Sequence, residues 1–215
     1  MDGSSVCLRL LLCNKDLGDA IRLFQILTII GTLPWANRVK VYEGDLSCAQ
    51  WCGRRIEFLM IDAMKSWELA NSIQRIFYPS MVAGLTVVFH QDFAHWYTPW
   101  IHLLNYRFRD YFEKLSVVRA SPTVVFKYVQ TIPEDLLMHQ YSAESFSDEE
   151  IELAFSHSLS LVASPQNKAN VTAARITHYL NLDRRDAARA VFDQAIADRL
   201  PLDSELRIVE QQLNL

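Results

Sequence analysis

The segment TVVFHQDFAHWYTPWIHL, residues 86–103, joins a β-forming run to side chains that can bind metals or transfer protons. His90, Gln91 and Asp92 follow the apolar run directly, and His95 comes three residues after Asp92. Carboxylate and amide oxygens bind Mg²⁺, whereas an imidazole can take up a proton as a general base. In parallel α/β sheets, ligands bind beyond the carboxyl ends of the strands, so this segment is a candidate site.

Two earlier apolar runs also end in acidic residues. Residues 39–42 lead to Asp45, and residues 56–61 lead directly to Asp62. Because the carboxyl ends of parallel strands meet at one edge of a sheet, Asp62 and Asp92 are expected to lie close together. An acid after a strand can instead cap the next helix, but three in succession favour a functional edge.

The combination of residue types at this edge predicts a hard-metal site next to a proton acceptor. Asp62 and Asp92, with Gln91 or else His90 as a third ligand, are predicted to hold a hard divalent cation such as Mg²⁺ together with water molecules. His95 is the first candidate for the general base and His90 the second. For either histidine, ordinary hydrogen bonding in an aromatic pocket is an equally good interpretation.

Alternating strand and helix patterns position these residues over roughly the first 130 positions. Such alternation, followed by two closely spaced strands, predicts an α/β fold, a Rossmann-like three-layer sandwich whose mostly parallel sheet has one antiparallel strand. The predicted strands are residues 6–13, 39–42, 56–61, 85–89, 115–121 and 123–129, and the predicted helices are residues 19–30, 66–78 and 100–112.

From residue 148 onward the pattern is purely helical. Ser147 and Glu150 form a capping-box pair at its start, and the following residues resemble a single tetratricopeptide repeat. The predicted division is therefore an α/β domain over residues 1–130, a linker over 131–147 and a helical extension over 148–215. One repeat cannot bury its own faces, so the extension is expected to be a small helical cap or a segment that contacts a partner protein or a second copy of the chain.

Composition excludes several classes of function. Half of the 215 residues are hydrophobic, which is enough for a sizeable core, and the net charge of −4 favours neither nucleic acid nor an anionic membrane as partner. No apolar run reaches the length of a membrane span. The first residues lack a basic leader and a signal-peptide cleavage pattern, so a cytoplasmic location is expected.

Three segments carry a resemblance to a known family: VKVYEGDL, RRIEFLMIDAMKSWELANSIQRIFYPSMVAGLTVVFHQDF and SPTVVFKYV. They resemble the second half of class I S-adenosylmethionine-dependent methyltransferases, in particular macrocin-type and catechol-type O-methyltransferases. The resemblance implies that Asp45 lies near the adenine of the cofactor and that Asp16 holds its ribose. It also implies that Asp62 and Asp92 hold a cation or position a small-molecule hydroxyl as methyl acceptor.

The glycine-rich loop that follows the first strand in this family has no counterpart here. The chain contains six glycines, and none of them forms the expected cluster. Such glycines let the backbone approach the cofactor closely. The alternative to an active enzyme is therefore a catalytically inactive or N-terminally truncated relative that acts as a binding or assembly module.

Overall fold

The computed structural model describes residues 11–12, 42–202 and 205–214. These residues divide into two units, one before residue 52 and one from residue 52 onward. In the first unit, strand β1 (Leu11–Leu12) pairs in parallel with β2 (Tyr42–Glu43), and a 3₁₀ turn follows at Leu46–Cys48. The rest of the predicted strands 6–13 and 39–42, and the predicted helix 19–30, lie outside the described residues.

The second unit contains a four-stranded mixed sheet. Its strands are β3 (Phe58–Ile61), β4 (Val87–His90), β5 (Phe112–Val117) and β6 (Val124–Tyr128), in the order β3-β4-β6-β5. Strands β3 and β4 are parallel, whereas β6 is antiparallel to both of its neighbours, β4 and β5. Three strands therefore run in one direction and β6 runs in the other, so the described fold is α/β with a mixed sheet.

The predicted pairing of the last two strands is correct, but the predicted bounds of β5 were wrong. Phe112 already pairs with Tyr128, and a bulge between Lys114 and Ser116 shifts the register. The chain then turns before β6, and the Val118 N–H donates to the carbonyl of Thr123 (3.0 Å). Pairing continues beyond the bulge to Val117, and the residues that follow form the turn between the two strands.

Two helices connect the strands of this sheet. Helix α1 (Trp67–Phe77) begins as predicted at Ser66, whose side chain accepts a hydrogen bond from the Leu69 N–H (3.2 Å). Helix α2 (Pro99–Arg107) has Pro99 in its first turn, where a missing N–H costs nothing. The two helices pack against each other.

The predicted linker is packed onto this unit. It contains the short helix α3 (Glu134–Met138) and a 3₁₀ turn at Ala143–Ser145. The buried amide of Asn71 donates to the carbonyl of Tyr141 (2.8 Å) and accepts from its N–H (2.9 Å). This reciprocal pair ties the segment to α1, because both buried backbone groups are satisfied by one side chain.

The helical residues at the end of the chain belong to the same unit as the sheet. They form α4 (Asp148–Leu161), α5 (Pro165–Asn181), α6 (Arg185–Ala197) and α7 (Glu205–Leu213). Ser147 and Glu150 form the predicted capping box. Helices α4 and α5 both pack on α2, so the extension lies against the helix that follows the candidate site.

None of the helices in the described ranges is long and apolar enough to cross a membrane.

Candidate functional site

The structure brings Asp62 and Asp92 together at the carboxyl ends of β3 and β4. The last paired residues of these parallel strands, Ile61 and His90, lie opposite each other, so the segments after them leave the sheet side by side. The Lys65 ammonium contacts Asp92 Oδ2 and lies 3.7 Å from Asp62 Oδ1. Lys65 therefore forms an ion pair with each of the two acids.

The two carboxylates influence each other electrostatically. Burial raises the pKa of Asp62, the negative charge of Asp92 raises it further, and Lys65 opposes both effects. The Asp92 side chain is 13 % exposed and that of Asp62 is 56 % exposed. Asp92 is therefore the enclosed member of the pair, and Asp62 is the member open to solvent.

This arrangement does not fit Mg²⁺ as it stands. Among the residues that the structure describes, no three His, Cys, Asp or Glu side chains are grouped to hold a metal ion. The Lys65 ammonium already supplies the positive charge between Asp62 and Asp92. A metal ion would have to displace Lys65, so no step of a reaction is assigned to a metal here.

The loop between β4 and α2 is held in place from three directions. The buried Thr98 hydroxyl donates to the Asp92 carbonyl (3.0 Å). The Ala94 N–H donates to the Pro122 carbonyl (2.9 Å), and the Ala94 carbonyl accepts from the Asn170 amide on α5 (3.1 Å). These bonds give the loop a defined conformation, because the backbone groups of buried Ala94 are both paired.

Within this loop, His95 faces Glu205 at the start of α7. The His95 Nε2 atom lies 3.7 Å from Glu205 Oε1, and the Trp96 N–H donates to Glu205 Oε2. The other ring nitrogen, Nδ1 of His95, accepts a hydrogen bond from the Tyr97 N–H (3.1 Å). The His95 side chain is 33 % exposed and that of Glu205 is 20 % exposed, so solvent reaches both.

The protonation of this pair is set mainly by burial. Burial raises the pKa of Glu205 to about 7, and the charge of Asp92 adds to this rise, whereas the hydrogen bond from Trp96 opposes it. Burial lowers the pKa of His95; the charge of Asp92 opposes this shift and Lys65 reinforces it. Near pH 7 the imidazole is therefore mainly neutral, and the carboxyl group exchanges a proton with its surroundings.

The structure does not place His90 in this cluster. His90 is buried at the end of β4 and its ring contacts Phe126, with 5.8 Å between the ring centroids. Burial lowers the pKa of His90 to about 4. His90 and Asn105 line a cavity of about 10 Å³, whereas ligand pockets measure about 300 Å³ or more. The remaining lining residues are Met64, Tyr78, Ile101, Leu104, Phe108 and Phe112.

Aromatic rings extend from the cluster towards α2. The rings of Trp96 and Tyr97 lie 5.4 Å apart, and those of Tyr97 and Trp100 lie 6.1 Å apart, both in edge-to-face geometry. Trp100 is buried and donates through Nε1 to the Met64 carbonyl (2.8 Å), while Tyr97 is 48 % exposed. The three rings therefore form a continuous aromatic row beside the cluster, exposed to solvent at Tyr97.

The other predicted site residues have different surroundings. Gln91 continues the β3–β4 pairing through its N–H, which donates to the Ile61 carbonyl (3.0 Å). Asp45 belongs to the first unit, where it caps the 3₁₀ turn by accepting from the Ser47 N–H (2.8 Å). Asp16 lies outside the described residues.

No family model, curated protein or solved structure matches the chain at a significant level. The resemblance to methyltransferases therefore rests on the sequence segments alone.

Two residues of the cluster were missing from the sequence-based site. Lys65 lies three residues after Asp62 in the irregular segment between β3 and Ser66, so helical spacing rules gave no signal for this pair. Glu205 likewise had no signal. An acid at the start of an amphipathic helix is common, since it interacts favourably with the helix dipole.

Proposed function

We propose that the chain is an S-adenosylmethionine-dependent methyltransferase-like protein that transfers a methyl group to the hydroxyl of a small molecule. The observation that supports this proposal is the cluster of Asp62, Lys65, Asp92, His95 and Glu205 beyond the ends of two adjacent parallel strands. The mixed sheet with a single reversed strand is compatible with the Rossmann-like architecture expected from the resemblance.

The charges of the cluster suit a positively charged cofactor. The carboxyl groups of Asp62 and Asp92 share the ammonium of Lys65, so these three side chains together carry an excess of negative charge. S-Adenosylmethionine, when bound, supplies an electrophilic methyl group on a positively charged sulfur. A negative site favours such a cation over a neutral ligand.

The other roles follow from the positions of the side chains. Asp62 and Asp92 provide the negative charge, and Lys65 holds them in place. Methyl transfer depends mainly on alignment and on a deprotonated acceptor oxygen, so the rigid loop after β4 would orient the acceptor. The aromatic row of Trp96, Tyr97 and Trp100 would pack against the apolar part of the acceptor.

Isothermal titration calorimetry with S-adenosylmethionine tests the proposal directly. Asp92→Asn should weaken binding at least about ten-fold, which corresponds to about 1.4 kcal/mol, because it removes the enclosed charge. Asp110→Asn, at an exposed acid in a 3₁₀ turn, is the matched control and should bind like the wild type. Absence of binding by the wild type at millimolar cofactor would contradict the proposal.

One observation favours the alternative of a non-catalytic assembly module. Strand β3 is an edge of the described four-stranded sheet, and its side chains Phe58 and Met60 are 54 % and 56 % exposed. Exposed apolar edge strands are typical of surfaces that pair with another chain. Sedimentation velocity tests this role. The wild type should self-associate, and Met60→Lys should weaken that association.

A further inference from the structure

In the pair formed by His95 and Glu205, the neutral imidazole ring has no free nitrogen lone pair with which to accept a proton. The Nδ1 atom of His95 accepts a hydrogen bond from the Tyr97 N–H, so it carries no proton. A neutral imidazole has one N–H, which must then be at Nε2, the atom that faces Glu205 Oε1. The acceptor nitrogen Nδ1 is therefore occupied by a backbone amide, and the Nε2–H group faces the Glu205 carboxyl group across 3.7 Å.

Glu205, in contrast, has a carboxylate oxygen that can still accept a proton. Its Oε2 atom accepts the hydrogen bond from the Trp96 N–H. Its Oε1 atom lies 3.7 Å from His95 Nε2, which is longer than a hydrogen bond. A carboxylate oxygen has two lone pairs, so Oε1 retains the capacity to accept a proton. The side chain is 20 % exposed, so solvent reaches it.

We propose that Glu205, from the helical extension, is the proton acceptor of this site and that His95 is a positioning residue that orients it. In the step, the O–H bond of the acceptor molecule breaks and the proton forms a bond with Oε1. The bonding electron pair stays on the acceptor oxygen, which becomes the nucleophile, and Glu205 becomes a neutral carboxylic acid. The identity of the O–H donor rests on the proposed methyl transfer.

The surroundings of Glu205 suit this role. The charged and titratable groups that face the pair from the strand ends are Asp92, Lys65 and His95 itself. Burial and Asp92 bring the pKa of Glu205 to about 7, and burial keeps the His95 ring neutral at that pH. General-base catalysis is most efficient when the pKa of the base lies near the working pH.

Carbon-13 NMR of protein labelled at glutamate carboxyl groups tests the assignment without any substrate. The Glu205 signal, identified by its loss in Glu205→Gln, should titrate near pH 7. His95→Gln should shift this titration, and Glu210→Gln on the same helix should not. Titration of Glu205 near 4.5, the ordinary value for a glutamate, would overturn the proposal.

Formation of S-adenosylhomocysteine with a panel of phenols and catechols provides the second test. Glu205→Gln should lower the rate by about 100-fold or more, the usual contribution of a general base, with cofactor affinity unchanged within about two-fold. The amide oxygen introduced by Glu205→Gln can still accept from the Trp96 N–H, so the loop contact is kept. Glu205→Asp is a second variant that keeps the carboxylate and should retain more of the rate. His95→Gln should shift the pH dependence of the rate. Loss of a purely structural contact would leave that dependence unchanged.

The two proposals fail in different ways. A wild-type rate in Glu205→Gln overturns the role of Glu205 and leaves the methyltransferase proposal standing. Absence of cofactor binding overturns the methyltransferase proposal, and the NMR titration then still tests whether Glu205 exchanges a proton near pH 7, which the role of proton acceptor requires.

Discussion

The carboxylate of Glu205 accepts a hydrogen bond from the backbone amide of Trp96, although 109 residues separate the two along the chain. This bond connects the start of the last described helix to the loop that carries Asp92 and His95. The helical extension therefore completes the cluster at the strand ends instead of forming a separate appendage.

Ionisation of Glu205 should make the protein less stable. Its pKa is about 7 in the folded state, against an ordinary value of 4.5, so folding stability falls as the pH rises from about 4.5 through 7. Glu205→Gln should therefore raise the free energy of unfolding at pH 8 by about 3 kcal/mol and leave it unchanged below about pH 4.5. Urea denaturation at both pH values measures this difference, and a destabilised variant at pH 8 would contradict it.

Three buried histidines should limit stability in acid. Burial lowers the pKa of His90 and of His178 to about 4 and that of His102 to about 3, whereas each would titrate near 6.5 in the unfolded chain. Stability is therefore lost as the pH falls below about 6.5, by about 1.4 kcal/mol per pH unit for each histidine that must stay neutral.

His102→Leu should flatten this loss of stability in acid. Both ring nitrogens of His102 are buried without a hydrogen-bond partner among the described residues, and its ring packs between Phe93 and Phe155. Denaturant unfolding between about pH 7 and pH 4.5 should show a smaller slope than in the wild type. Exposed His139, changed to Gln, is the control, and an unaltered slope in His102→Leu would refute the assignment.

Removal of Lys65 should convert the ion-pair cluster into a cation site. In Lys65→Met the carboxylates of Asp62 and Asp92 lose the ammonium that pairs with both. Calorimetry should then detect tighter binding of Mg²⁺ than in the wild type, because two adjacent carboxylates attract a hard cation. Lys114→Met, at an exposed position on β5, should behave like the wild type. Equal Mg²⁺ affinity in Lys65→Met and the wild type would show that Lys65 does not occupy the cation position.

Asn170 on α5 should influence the conformation of the candidate site, because its side chain donates to the Ala94 carbonyl. Asn170→Asp keeps the acceptor for the Gln166 amide but removes the donor to the buried Ala94 carbonyl, at a cost of about 1–3 kcal/mol. Because Ala94 lies between Asp92 and His95, the NMR titration of Glu205 should shift as well. Asn167→Asp, which removes a donor to the Ser121 carbonyl, should lower stability without moving that titration.

The pairing of Asp62 with Asp92 could be expected from sequence, because it depends on short-range rules. An apolar run forms a strand, the next run forms its parallel neighbour, and the residues that follow both strands must leave the sheet at the same edge. The caps at Ser66 and Ser147 were equally accessible, since a cap depends on residues three positions apart.

The surroundings of His90 and His95 could not be expected from sequence. His90 and His95 stand in the same short motif, yet His90 points into the core and His95 faces Glu205. In a strand, adjacent side chains point to opposite faces, and which face is covered depends on helices elsewhere in the chain. The bulge in β5 likewise depends on its pairing with β6, and no local sequence pattern indicates it.

The sequence by itself determined the strand-to-acid junctions, the helix caps and the helical character of the last third of the chain, because all of these depend on neighbouring residues. Only the tertiary structure decided that Lys65 pairs with both acids and that Glu205 joins His95. The Lys65 contacts depend on the parallel pairing of β3 with β4. The Glu205 contact depends on the packing of α7 on α5, which itself packs on α2, so that a distant helix reaches the strand ends and its carboxyl group is partly buried there.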